Sequence, residues 1–410
     1  MASRRIVSIV VCLFALVSSA STNRAEATEG RGQWILVTPP GLKATAKPLI
    51  ARRQQQGWKC AVIDTTGEST AEELRTKLIQ HATAFEGTTT ILLLGAWLGD
   101  KQSITPAANG THGRMKKLLT DHWLGQPKPD GSLTVAVGRL PARSVEEAQL
   151  MIAKLLKFEA TVPQTNSVNL IVAHPGGGTP LEKTIAENVI RSAVNLRLGQ
   201  LDSSWQPECI MDVPNSTYTV ATAKFGAEIK RMLEQPYVFA VYSGHSNASG
   251  MYSVGGNVFG RSQFKKLTPN RKTDQAAGVL VSCGCYGCQL SGYPPGQGYG
   301  LYAIRSIDGP AAVIGAFGES YSAMGLLALD GLLAQTKSPA KTQTLGEYWL
   351  SIQHGITQGE IAPGEFLMHD MADGSRGKVS LKDQRLEHAE MWTLLGDPAM
   401  QIPVKLDDTK

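Results

Sequence analysis

Charge is scarce in this chain, and so are aromatic rings and cysteines. Of its 410 residues only 18% are charged and 6% aromatic. The net charge is +5, or +3 without Arg4 and Arg5. No lysine- and arginine-rich run is present to neutralise a phosphate backbone or hold an anionic membrane, so no nucleic-acid partner is expected. No apolar run approaches the roughly 20 residues that cross a bilayer, which argues against stable membrane insertion. Five cysteines follow residue 20, namely Cys60, Cys209, Cys283, Cys285 and Cys288. An odd, unevenly spread set makes a poor disulfide scaffold and leaves at least one thiol free. Internal repeats and low-complexity segments are also missing.

What is present is a hydrophobic content of 42%, enough for a sizeable core over two or three domains' worth of chain. Residues 1–20 read as a secretory signal peptide: basic Arg4-Arg5, a short apolar Ile6–Val17, then the small residues Ser18-Ser19-Ala20. The expected location is therefore secreted or periplasmic. From residue 31 strand and helix patterns alternate. Gln33–Thr38, Trp58–Asp64, Thr90–Gly95 and Leu133–Gly138 read as strands. Ser69 is expected to cap one intervening helix, and Ser144 with Glu147 forms a capping box for another through about Glu159. This order implies a parallel sheet with helices on both faces. Residues 31–161 form a first α/β subdomain, 162–166 a polar linker and 167–404 a second α/β subdomain. In the latter, His174–Pro180 is glycine-rich, but Thr179 as N-cap with Pro180 after it explains the loop better than a phosphate site. Further helices are expected near Gly298–Ile307, Ser322–Leu333 and Thr344–His354, with a strand at Ala311–Ala316. Gly359–Asp383 reads as loop.

Two stretches stand apart, Tyr237–His245 and Gly278–Cys288. Each is an apolar run of strand length that ends in small residues and delivers a reactive side chain, His245 or Cys283. Chemistry in open α/β sheets collects beyond the carboxyl ends of parallel strands. An imidazole beside a thiol supplies the proton acceptor and the activation a cysteine nucleophile requires.

A strand ending in Gly-His, followed 38 residues after the His by Ser-Cys-Gly, resembles the gingipain-type cysteine peptidases, relatives of the caspases. The resemblance extends to Trp34–Thr38, Gln56–Lys59, Leu92–Gly95, Thr120–Trp123, Val137–Pro141, Gly309–Gly315 and Leu394–Pro398. It implies a caspase/gingipain-like parallel-sheet sandwich in two α/β subdomains, with the catalytic pair in the second. It also implies endopeptidase action on protein or peptide substrates, with no metal or cofactor in the chemistry; structural calcium is left open. By the same resemblance Cys283 is the nucleophile and His245 the base, and the backbone N–H groups of Cys283 and Ser246 form the oxyanion hole. The family commonly has Gly after the His, and if that backbone needs positive φ a Ser there is strained; because only the backbone N–H of Ser246 is used, its side chain is expected to be silent. Asp121 is implied as the orienter of His245, and Asp130 and Tyr321 as floor and lid of a pocket for the Arg or Lys before the scissile bond. Pro127-Lys128-Pro129-Asp130-Gly131 is equally a strong turn sequence.

Other readings of the same residues stay open. His245 and Cys283 can be a core histidine and a buried structural thiol. Gly244–Ala248 approximates a serine-hydrolase elbow with Ser246 as nucleophile, although no helix-forming sequence follows it. Cys283, Cys285, Cys288 and His245 can form a metal or redox module, or Cys285 and Cys288 can pair as a disulfide. A catalytically inactive peptide-binding homologue fits as well.

Overall fold

In the computed structural model, the residues described are 31–405, apart from 66–69, 86, 98–102, 105–106, 110–112, 116–117, 126–134, 175, 177–178, 269–275, 291–297 and 338–342. The first part of the chain runs β1 (Gly32–Thr38), α1 (Pro40–Lys43), α2 (Lys47–Gln55), β2 (Trp58–Asp64), α3 (Ala71–Thr83), β3 (Thr89–Leu94), β4 (Ala107–Asn109), β5 (Leu118–Thr120), β6 (Ala136–Leu140) and α4 (Val145–Ala160). Strands β2-β1-β3-β6 form a four-stranded, wholly parallel sheet. Side-chain alternation gives it two buried faces. Trp34, Leu36, Leu92 and Leu94 enter the main core, while Ile35, Val37, Ile91 and Leu93 pack with Leu74 and Leu78 of α3 in a smaller one. The cap of α3 is Thr70, not Ser69: its side chain and that of Glu73 form a reciprocal capping box.

The second part runs β7 (Asn166–Val172), α5 (Pro180–Leu198), β8 (Trp205–Met211), α6 (Thr222–Glu234), β9 (Phe239–Ser243), β10 (Ser246–Asn247), β11 (Gly250–Ser253), β12 (Gly256–Gly260), α7 (Arg261–Phe264), β13 (Val279–Ser282), α8 (Tyr299–Arg305), β14 (Ala312–Ala316), α9 (Ser322–Thr336), α10 (Leu345–Gln358), α11 (Pro363–Ala372), α12 (Leu381–Met391) and β15 (Trp392–Leu395). Its six-stranded sheet has the order β15-β14-β13-β9-β7-β8, with β15 the antiparallel member. The chain builds outward from β7 to β8, then returns to add β9, β13 and β14 on the other side. A crevice opens at such a reversal. Asn166, at the edge of the linker, is already the first residue of β7 and is buried.

Gly359–Asp383 is not a loop throughout, because it contains α11 and the start of α12. Pro363 occupies the first turn of α11 and Glu365 complements its N-terminus. The helix buries His369 and Asp370 while Leu367, Met368 and Met371 stay exposed. Its inner face is therefore polar and its outer face apolar, which hides the usual periodicity.

The two sheets are joined by a buried ionic knot. Arg53 of α2 is fully buried and donates to Glu159 Oε1 at 2.6 Å and, through Nε, to Asp397 Oδ2 at 2.9 Å. Trp34 Nε1 donates to the other Asp397 oxygen at 3.0 Å. Asp397 belongs to the Leu-Gly-Asp-Pro stretch after β15, so the last strand is pinned to the first.

Candidate active site

Strands β9 and β13 are parallel neighbours, with Ser282 opposite Tyr242. The ladder continues one step further, since the Cys283 N–H donates to the Tyr242 carbonyl at 2.8 Å. Cys283 therefore leaves its strand beside the turn that carries His245. Two glycines fit the turns into place. A Cβ on Gly244 would stand 2.6 Å from Ala173 Cβ, and one on Gly284 would stand 2.1 Å from Ser246 Oγ and 2.8 Å from the Gly244 carbonyl. A larger residue at Gly284 would push the two turns apart, and one at Gly244 would collide with Ala173 and the Tyr242 hydroxyl.

His245 is exposed at the rim and Cys283 half-buried. The His245 carbonyl accepts from Tyr252 N–H at 2.8 Å and from the Tyr242 hydroxyl. That hydroxyl also lies 3.0 Å from the Tyr252 carbonyl, so the buried Tyr242 fixes the backbone of the histidine turn from below. The sequence reading missed it. The available signal was a tyrosine within a wholly apolar run, whose hydroxyl must find a partner when buried. Burial pushes the Cys283 thiol up to about 12. Such a thiol keeps its proton at neutral pH unless a base takes it, which is the task an adjacent imidazole performs.

The expected oxyanion donors fare differently. The Cys283 N–H is committed to Tyr242, which removes it as a free donor. Ser246 sits in the pair Ser246↔Met251 of the β10–β11 hairpin. Because Tyr252 N–H bonds the His245 carbonyl, this is a non-hydrogen-bonded pair, and the Ser246 N–H points away from β11. Nor is its backbone strained: the non-glycine residues with positive φ among those described are Asn215, Tyr286 and Arg376. Its hydroxyl donates to the Cys285 carbonyl at 2.6 Å. With a hairpin following it, Ser246 has no place in a strand–turn–helix elbow.

Asp121 requires a correction. Both its oxygens accept from Arg139, at 2.7 Å each, so it does not orient His245. Arg139 is fully buried, also donates to the carbonyls of Gly95 and Ala96, and stacks on Trp97. A buried guanidinium demands such a bidentate partner. The lid role of Tyr321 requires a correction as well. Its ring is enclosed rather than free to cover a pocket, its hydroxyl donates to Glu387 at 2.8 Å, and the Arg114 guanidinium lies 4.5 Å above it. Asp130 lies outside the described residues.

The cysteines beyond residue 20 are all free thiols, so Cys285 and Cys288 do not pair. Cys285 Sγ accepts from Ser320 N–H at 3.4 Å, whereas Cys288 is buried in the core. Among the described residues no three His, Cys, Asp or Glu side chains gather as metal ligands.

A mostly parallel α/β sheet that presents a thiol and an imidazole on neighbouring strand ends is an arrangement suited to cysteine-nucleophile chemistry. Residues 27–403 match peptidase family C25, and the chain belongs to that family of cysteine peptidases. The complex of Porphyromonas gingivalis RgpB pro- and mature domains is 18% identical with a TM-score of 0.63, over 90% of this chain and 80% of that one. A structure of the Arg-specific cysteine proteinase gingipain R (RgpB) is 18% identical with a TM-score of 0.60, over 91% and 78%. At such identities the likeness is one of fold. No curated protein matches the chain. Among the described residues no helix is long and apolar enough to cross a membrane.

Proposed function

We propose that the protein is a secreted cysteine endopeptidase in which Cys283 is the nucleophile and His245 the general base. The observation that carries this reading is the β9–β13 register, which delivers both residues to adjoining turns packed together at Gly284. His245 takes the Sγ proton as the thiolate attacks the peptide carbonyl, then returns it to the leaving amine. The Ser246 N–H, facing away from its hairpin partner, meets the developing oxyanion. No cofactor enters the chemistry. The signal peptide that would export the protein falls at residues 1–20, outside those described.

Substrates carry Arg or Lys before the scissile bond in this reading, held by Asp130. The support is the sequence offset of Asp130 from Gly138-Arg139 and the Arg specificity named for the RgpB structure. If Asp130 forms a desolvated bidentate pair, Asp130→Asn should cost about 3–5 kcal/mol, or roughly 10² to 10³-fold or more in kcat/KM on Arg substrates. A peptide library varied before the scissile bond measures this; unchanged Arg and Lys selectivity in the variant removes Asp130 from the pocket.

The thiol's raised pKa gives a second reading some footing, that of a homologue that binds peptides without cleaving them. A peptidyl alkylating reagent followed by peptide mapping separates the two. Selective labelling of Cys283 at neutral pH supports the peptidase, and a protein that binds the peptide but is not labelled supports the binder.

A further inference from the structure

We infer that Ser246 is a positioning residue whose hydroxyl locks the nucleophile turn to the base turn. This goes beyond its backbone role and rests on the cysteine-peptidase reading.

The turn after Cys283 is held in an unfavourable shape. Tyr286 has φ +55°, a left-handed conformation that a bulky residue adopts only under constraint. From the β14 side the constraint is ample. Tyr286 N–H donates to the Gly318 carbonyl at 2.8 Å, and Ser320 Oγ donates to the Gly284 carbonyl at 3.1 Å. From the histidine side, past the end of the β9–β13 ladder, the described tie is the Ser246 hydroxyl on the Cys285 carbonyl at 2.6 Å. Without it the Cys283 N–H on the Tyr242 carbonyl still holds the nucleophile's backbone to β9, but the rest of the turn follows the β14 loop and the approach of Cys283 to His245 is less closely set.

The surroundings are shaped for that hydroxyl. Gly284 leaves the space it occupies, since a Cβ there would stand 2.1 Å from it. The buried hydroxyl of Tyr299 is hydrogen-bonded to that of Ser282, the residue before the nucleophile. Together with the Ser246 bond to the Cys285 carbonyl, it holds the chain on both sides of the nucleophile. Networks of this kind fix geometry more than they add net stability. Proton transfer between Cys283 and His245 is the step most sensitive to such geometry.

The test compares Ser246→Ala, Ser246→Gly and Ser246→Thr in the full chain. Peptide hydrolysis and the pH profile of iodoacetamide alkylation at Cys283 are both read, the latter by peptide mapping. Loss of one well-made hydrogen bond should lower kcat about ten-fold in the Ala and Gly variants, with KM within about two-fold. The alkylation rate at mildly acidic pH, where reactivity depends on the imidazole, should fall by a similar factor. At high pH it should change little. Thr keeps the hydroxyl and should restore most of both. If the Ala variant does not fold, Ser246→Cys, with a weaker donor of similar size, should give an intermediate loss. Equal kcat and an unchanged alkylation profile in the Ala, Gly or Cys variants would overturn the inference and leave the peptidase reading standing. A wild type whose Cys283 resists alkylation at every pH below its own titration would overturn the peptidase reading itself.

Discussion

The two parallel sheets solve the same problem at their strand ends in opposite ways. At the end of the first sheet, Arg139 of β6 fills the space with a guanidinium bonded to Asp121 and to the carbonyls of Gly95 and Ala96. At the end of the second, the turns after β9 and β13 carry glycines, with His245 exposed and Cys283 half-buried. One end is plugged by charge and serves the fold; the other carries the thiol and the imidazole to which the proposed chemistry is assigned. An acidic residue close in sequence to a site landmark is thus no guide to its role, because what decides is which sheet end it occupies.

Activity gives the sharpest contrast. Cys283→Ala and His245→Ala should each lower kcat by at least about 10³-fold, with melting temperatures close to wild type, whereas Cys285→Ala and Cys288→Ala should keep substantial activity. Asp121→Asn, assayed well below its melting temperature, should keep kcat within a few-fold. An Asp121→Asn enzyme as inactive as His245→Ala would erase the distinction between the two sheet ends.

Stability should show the reverse. Asp121→Asn leaves the buried Arg139 guanidinium without its counter-charge, at a cost of about 3–5 kcal/mol, and denaturant unfolding measures it. A loss below about 1 kcal/mol would mean that water reaches Arg139 and that the first sheet is not plugged at all.

A smaller effect belongs to the second region. Burial lowers His369 to about 4, with the nearby Arg197 pushing the same way, and burial lowers His388 to about 3. Both lie below the ordinary value near 6.5, so on acidification the unfolded chain takes up these protons first. The stability they confer is complete above about pH 6.5 and is lost as pH falls toward those two values. Between pH 7 and pH 5 each should cost about 2 kcal/mol, and replacing either with Gln should flatten the profile over that range. The least effect is expected at Lys43–Asp64, where both side chains are about half exposed. Lys43→Ala should change stability by less than about 1 kcal/mol.

How much of this could be read from the residues follows from the same physics. The inner strands are continuous apolar runs that no other structure suits, so β1, β9 and β13 were legible nearly to their ends, as was the half-exposed edge strand β2. The thiol and the imidazole were legible for the same reason, since each terminates such a run. Long-range partners were not. Nothing near Asp121 in sequence announces Arg139, 18 residues away, as its partner, and nothing near Tyr321 announces Glu387. The Ser246 side chain looked idle because the carbonyl it serves lies 39 residues further on. Helix α11 escaped because its buried face is polar.

The knot of Trp34, Arg53, Glu159 and Asp397 bears on the order of events during synthesis. Arg53 and Asp397 are separated by 344 positions. A nascent chain that has emerged only through α4 holds every strand of its first sheet, yet Arg53 still lacks one of its two carboxylates. Closing so long a loop is entropically slow. Until then the first sheet carries a charge it cannot comfortably bury. A fragment comprising residues 31–161 should consequently be loosely packed, with poorly protected amides in β1 and α2 by hydrogen exchange, and should tighten only when the remainder of the chain is supplied. The chain is thereby kept from completing its first half before the strand ends that would carry its chemistry exist.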